Sequence, residues 1–409
     1  MLAHLAVAAL AAVVTAVMVP LAARVARRFG ATVEPHDAPD LHRAPVPALG
    51  GLAMFAGFLA ALGLAWMLPE FAPLFTSTSE PLALLIGASA IVVIGVIDDL
   101  FELPPTVKLA GQIVAALGVV ALGIQLVYFW VPGIDLIVLS PDLGLPLTIL
   151  ALVAIVNALN LIDGLDGLAS GIALIGASAF FLFAVRSQPS GLVENVPNSA
   201  TLVAALVVGM AAGFLVFNWF PAKIIMGDTG SMLLGLLLGS AGVAYIARST
   251  APTSTDFYGA MPLLIPVLVL VIPFLDSSYA VVRRVLAGRP ITAGDRGHLH
   301  HLLLAFGHSH RRAVLVLYYW SAVLAFGSVG PAFLAIDRLI PWLIVAIAIG
   351  VAITALGVRA RRVVVDGSAG DVSQPATLGP SADGVSPAGG PPGTGAEIVD
   401  LPRRAADGP

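Results

Sequence analysis

Cysteine is absent from the 409 residues, which excludes disulfides, thiolate zinc sites and cysteine nucleophiles. Charge is scarce too: Asp, Glu, Lys and Arg make up 11% of the chain, against about 25% in an ordinary soluble domain. Lysine is nearly missing, with Lys108 and Lys223 the only two. With 58% hydrophobic residues and a mean hydropathy of +0.98, a chain so short of polar covering can bury its apolar surface only in lipid. No basic n-region precedes the first apolar run and no small-residue cleavage site ends it, so that run reads as a retained helix rather than a signal peptide. No internal repeat is evident.

What is present is a succession of long apolar stretches. A helical span needs about 20 such residues, and spans are expected at roughly 2–22, 47–68, 81–98, 106–124, 145–162, 167–185, 199–218, 229–247, 261–282, 312–333 and 338–358. The expected fold is therefore an all-α polytopic integral membrane protein with about eleven transmembrane helices. Segment 125–144, with Tyr128, Phe129, Trp130 and Pro132, is too interrupted to span and suits an interfacial turn or small hairpin on the outer side. Residues 1–362 form one membrane domain, and 363–409 read as a disordered Gly/Pro/Ala/Ser tail.

The few charges are unevenly placed. Taking alternate loops, one set holds 17 of the 20 Lys and Arg, while the other holds only Arg186, Arg248 and Arg338. The positive-inside rule makes the first set cytoplasmic, with the N-terminus outside and the tail cytoplasmic. The polar clusters all fall on that cytoplasmic side.

Ionisable groups beside membrane spans are costly, and their presence there points to a functional site. Asp98-Asp99 closes an apolar run, and adjacent carboxylates need a cation or a shared proton; an exposed helix end is the plainer reading. Lys108 nearby offers a charge for phosphate. Asn157, Asn160, Asp163 and Asp166 recur every three residues, the spacing of helix neighbours. Two amides and two acids suit a nucleotide, a sugar or a metal held by oxygen, although polar glue between helices would look similar. Met226-Gly227-Asp228-Thr229-Gly230-Ser231 precedes another span. Asp228 or Ser231 could merely cap that helix, or the helix start could face a phosphate, with Asp228 bridging through magnesium. Asn218 supplies a further amide. No Walker lysine follows the glycines, so this is no P-loop. The longest cytoplasmic loop gathers Arg283 and Arg284 with His298, His300 and His301, a set suited to phosphate contacts.

An ion-coupled transporter also uses intramembrane acids, but these acids cluster at helix ends. The order of motifs decides between the readings. Pro45-Val46-Pro47-Ala48-Leu49-Gly50-Gly51, Asp98-Asp99, NALNLIDGLDGLASG from Asn157, MGDTGS from Met226 and HLHH from His298 together resemble the membrane polyprenyl-phosphate N-acetylhexosamine-1-phosphate transferases, the family containing WecA, TagO and MraY. The resemblance implies transfer of a sugar-1-phosphate from a cytosolic UDP-amino sugar to a lipid phosphate, with release of UMP. It implies magnesium, with manganese as a substitute, held by Asp228, Asp99 and Asp163. It implies Asp98 or Asp99 as the base and Asp228 as the third catalytic carboxylate. Lys108, Asn157, Asn160, Asp163, Asp166, Asn218, Arg283, Arg284, His298, His300 and His301 are implied in substrate binding. HLHH is closer to the WecA/TagO pattern than to the three consecutive histidines of the MraY branch, which favours UDP-N-acetylglucosamine over the muramyl-pentapeptide nucleotide. The expected partners are that donor, undecaprenyl or decaprenyl phosphate and the bilayer, without nucleic acid; a homodimer is an allowed assembly. The run Asp37 to Gly51 is shorter than the family's, with its basic residues reduced to His42 and Arg43.

Overall fold

The computed structural model describes residues 1–33, 45–131, 135–187, 199–248 and 308–368. Among these residues nine helices are long and apolar enough to cross a membrane: α1 (Leu2–Phe29), α2 (Gly50–Met67), α4 (Glu80–Phe101), α6 (Pro141–Ile162), α7 (Leu168–Arg186), α8 (Ser199–Asn218), α9 (Gly227–Arg248), α10 (His310–Val329) and α11 (Ile336–Ser368). The short α3 (Ala72–Ser77) and the apolar but shorter α5 (Pro105–Ala121) complete the helices. Every expected span on described residues meets one of them; the span expected at 261–282 lies outside the described residues. The all-α expectation needs one correction, because two short antiparallel ribbons are present. β1 (Thr32–Val33) pairs with β2 (Val46–Pro47), and β3 (Tyr128–Val131) with β4 (Asp135–Val138), a hairpin in the segment too interrupted to span. The bundle belongs to one compact unit, Met1–Val363.

Local chemistry sets the helix ends. Pro81, Pro105 and Pro141 stand in the first turns of α4, α5 and α6, where a missing N–H costs nothing. Gly30 closes α1 in the left-handed region at φ 77°. Glu102, at φ 49°, closes α4, and Pro104-Pro105 restarts the chain as α5, so Lys108 returns beside the end of α4.

Lipid tails are as apolar as leucine, so helices in a bilayer associate through close approach rather than hydrophobic expulsion. Gly209 and Gly213 of α8 meet α1 so tightly that an added Cβ would stand 2.2 Å from the carbonyl oxygens of Ala8 and Ala12. Gly57 of α2 faces Thr15 of α1 in the same way, and Gly235 of α9 lies on Val156 of α6. The result is a bundle centred on α9, which contacts α2, α4, α6 and α8 and is almost wholly buried. At the rim, α11 exposes Ile340, Trp342, Ile344 and Ile347, the surface a lipid-facing helix requires.

The start of α9 is held by backbone. Gly50 and Gly51 donate their N–H groups to the carbonyls of Ile225 (3.0 Å) and Met226 (2.9 Å), and Ile225 donates to Pro47 (2.8 Å). A Cβ on Gly51 would lie 2.3 Å from the Gly230 nitrogen, and one on Gly95 of α4 would lie 2.4 Å from Thr229 Cα. The glycines at the start of α2 and in α4 thus let both helices close on the turn that carries Asp228.

Candidate active site

Asp228 opens the first turn of α9. The Asn160 amide, from the last turn of α6, donates to its Oδ1 at 2.6 Å, and the Lys108 ammonium from α5 pairs with its Oδ2. The same ammonium lies 2.9 Å from Asp98 Oδ2 and 3.2 Å from Asn160 Oδ1. Asp98 is buried, and its other oxygen accepts the Leu103 N–H at 2.8 Å. Three helices, α4, α6 and α9, therefore converge on one lysine of a fourth, the cation that the close Asp98 and Asp228 carboxylates require.

Asp99 faces a different way from its neighbour. Its Oδ1 accepts the Asp228 N–H at 2.7 Å, and its Oδ2 accepts the Thr229 N–H at 3.1 Å and the Thr229 hydroxyl at 2.6 Å. The cap of α9 therefore comes from α4 rather than from Asp228 or Ser231, whose hydroxyl donates back to Gly227 O at 3.1 Å. A carboxylate at a helix start suits both the free N–H groups and the dipole. With its oxygens on these donors, Asp99 orients the turn that carries Asp228.

The three-residue stripe divides after its second member, because α6 ends at Ile162. Asn157 and Asn160 remain on the helix. Asn157 exchanges amide hydrogen bonds with the buried Gln112 of α5, at 2.6 and 3.3 Å, one turn deeper than the Lys108–Asn160 contact. Asp163 and Asp166 lie in the turn that follows. Asp166 Oδ2 accepts the Ala222 N–H at 2.9 Å. Asn218, buried at the end of α8, accepts the Gly167 N–H at 3.1 Å, lies 3.0 Å from the Ser170 hydroxyl and donates to Ile224 O at 3.0 Å. Asn157, Asp166 and Asn218, expected to meet substrate, each also tie segments of the protein together.

Asp163 is the exception. No donor meets its carboxylate among the described residues, and burial followed by the nearby charges of Asp228, Asp99 and Asp166 holds its pKa well above the usual carboxylate range. The residue as a whole is half-buried. Among the described residues no three acidic or histidine side chains already converge as a metal cluster. The side chains nevertheless suit a hard cation: the Asp163 and Asp228 carboxylates and the Asn160 carbonyl are oxygen ligands, and a divalent ion would offset the mutual repulsion of the acids. Arg283, Arg284, His298, His300 and His301 lie outside the described residues. The sequence reading missed Gln112 and Tyr318, whose hydroxyl donates to the Gly167 carbonyl, and took Thr229 only as a letter of the run from Met226. Gln112 carries a faint signal as an amide one turn from Lys108, whereas Tyr318 lies beside Tyr319 and Trp320 with nothing to set it apart.

The fold and site together define a helical membrane bundle with a carboxylate, lysine and amide centre at one end of its central helix. The chain belongs to glycosyl transferase family 4, whose family model matches residues 81–246, from α4 through α9. It is 38% identical over 346 residues to the decaprenyl-phosphate N-acetylglucosaminephosphotransferase of Mycolicibacterium smegmatis, covering 82% of this chain and 83% of the relative. It is 34% identical over 302 residues to the probable undecaprenyl-phosphate N-acetylglucosaminyl 1-phosphate transferase of Bacillus subtilis, covering 74% and 77%. The phospho-N-acetylmuramoyl-pentapeptide-transferase of Desulforudis audaxviator is 31% identical over 333 residues, covering 76% and 91%.

Proposed function

We propose that this protein transfers N-acetylglucosamine-1-phosphate from UDP-N-acetylglucosamine to a polyprenyl phosphate, producing polyprenyl-diphospho-N-acetylglucosamine and UMP. The observation that carries this reading is the meeting of Asp98, Lys108, Asn160 and Asp228 around one point, within a chain whose relatives are named for this transfer. An oxygen of the lipid phosphate attacks the donor's sugar-linked phosphorus, and the bond from that phosphorus to the oxygen bridging to UMP breaks. Both partners are anions, so the first requirement is to offset their repulsion. Lys108 supplies one positive charge and turns from Asp98 and Asp228 toward phosphate oxygens. Asp98, the member of the acid pair beside Lys108, takes the proton from the lipid phosphate. Asn160 holds Asp228 in place, and Asp99 holds its backbone. Asp163 and Asp228, with the Asn160 carbonyl, would hold magnesium or manganese. When bound, the ion neutralises the donor diphosphate and the departing UMP.

The charge distribution supports an orientation in the bacterial plasma membrane with the N-terminus outside, the tail inside and the carboxylates at the cytoplasmic face. A transfer of phospho-N-acetylmuramyl-pentapeptide from its uridine nucleotide to the polyprenyl phosphate is the second reading, favoured by the 31% identical relative. The deciding experiment supplies purified protein with polyprenyl phosphate and magnesium and measures UMP release from each donor. Release from UDP-N-acetylglucosamine alone is expected. Release from the pentapeptide nucleotide alone selects the second reading, and release from neither by folded protein overturns both.

A further inference from the structure

The turn that carries Asp163 is pinned at its far end by a residue distant in sequence. Gly167 adopts the left-handed region at φ 80° and opens α7. Asn218 takes its N–H, as described above, and the Tyr318 hydroxyl, reaching across from α10, donates to its carbonyl. The Tyr318 ring fills the space over Gly171, where an added Cβ would stand 2.0 Å from the phenol. Trp219 flanks the ring, with 6.1 Å between centroids. Asp166 is tied in turn to Ala222. The Asp163 carboxylate receives no donor of its own among the described residues, so its position is set by the backbone it rides on.

We infer that Tyr318 is a positioning residue for the transfer, its hydroxyl fixing the 163–167 turn and so the place of the Asp163 carboxylate. The kinetic part of this inference rests on the transferase reading, whereas the clamp itself does not. A turn with glycine at positions 164 and 167 is conformationally permissive, and loss of alignment at a reacting centre is read directly as loss of rate. A tyrosine kept only as core filling would need its hydroxyl satisfied but would leave the turn indifferent to it.

Tyr318→Phe in the full chain keeps the ring over Gly171 and removes only the hydroxyl. Hydrogen exchange by mass spectrometry should show the 163–171 segment exchanging about tenfold faster, with the rest of the bundle unchanged. The kcat for UMP release should fall by about tenfold while the thermal midpoint hardly moves. In an Asp163→Asn background the same change should add no further loss. Unchanged exchange, or an equal further loss in that background, overturns the inference. If the wild-type chain releases no UMP, the transferase reading fails and the exchange comparison still decides the clamp. Should Tyr318→Phe not fold, Asn218→Ser, which frees the same residue from the N–H side, is expected to speed exchange of the segment; unaltered exchange there is equally fatal.

Discussion

Two carboxylates meet at the first turn of α9, and their surroundings divide their roles. Asp228 is held by a lysine and an amide, both able to turn toward an incoming phosphate, whereas Asp99 is bound to backbone N–H groups that cannot leave. Asp228→Asn should lower kcat by about a hundred- to thousandfold and leave the thermal midpoint near that of the wild type. Asp99→Asn places an NH2 group against N–H donors and should destabilise the protein by about 2 kcal/mol, the scale of a lost charged hydrogen bond. Its activity should fall with the displacement of Asp228. Thermal unfolding and UMP release measured side by side test the contrast, and equal stability of the two variants would contradict the cap. The neighbouring letters Asp98-Asp99 were legible as a site. Their opposite orientations were not, because the direction of a side chain depends on where α9 and α5 arrive.

At the scale of elements, glycine decides how closely the segments approach. Gly51→Ala would drive a methyl group into the backbone of Gly230, and backbone yields less readily than a side chain. Overpacking of this kind costs about 1–3 kcal/mol, and here it also shifts the turn that presents Asp228. The expected outcome is lower activity with a lower thermal midpoint, checked by UMP release and thermal unfolding. Gly63, with open space around it, serves as the control: Gly63→Ala should be neutral or slightly stabilising. The two contacts between α5 and α6, Lys108 with Asn160 and Gln112 with Asn157, show the same principle in polar form. Lys108 and Gln112 are one turn apart on α5, as are Asn160 and Asn157 on α6, so the deeper amide pair fixes the register in which the lysine meets the site.

For the molecule as a whole, the absence of cysteine becomes an experimental asset, because single cysteines can be introduced into a silent background. Thr106→Cys in the first turn of α5 and Ser140→Cys just before α6 place exposed thiols on either side of α5 and the hairpin that follows it. An impermeant maleimide added to intact cells should label the cysteine at position 140 and reach the one at 106 only after permeabilisation. The reverse pattern would invert the proposed orientation.

Composition and the length of the apolar runs were enough to establish a helical membrane protein, because a bilayer demands long apolar helices whose backbone is satisfied internally. The motif letters were enough to collect Asp98, Lys108, Asn160 and Asp228 as candidates, since charge beside a membrane is costly and therefore conspicuous. Tertiary structure alone decided that Asp99 caps a helix contributed by another segment, that Asp166 and Asn218 join two turns, and that Tyr318 reaches the Asp163 turn from α10. Those roles depend on which donors and acceptors the packed helices bring within about 3 Å of one another, and that proximity belongs to the folded chain rather than to any local run of residues.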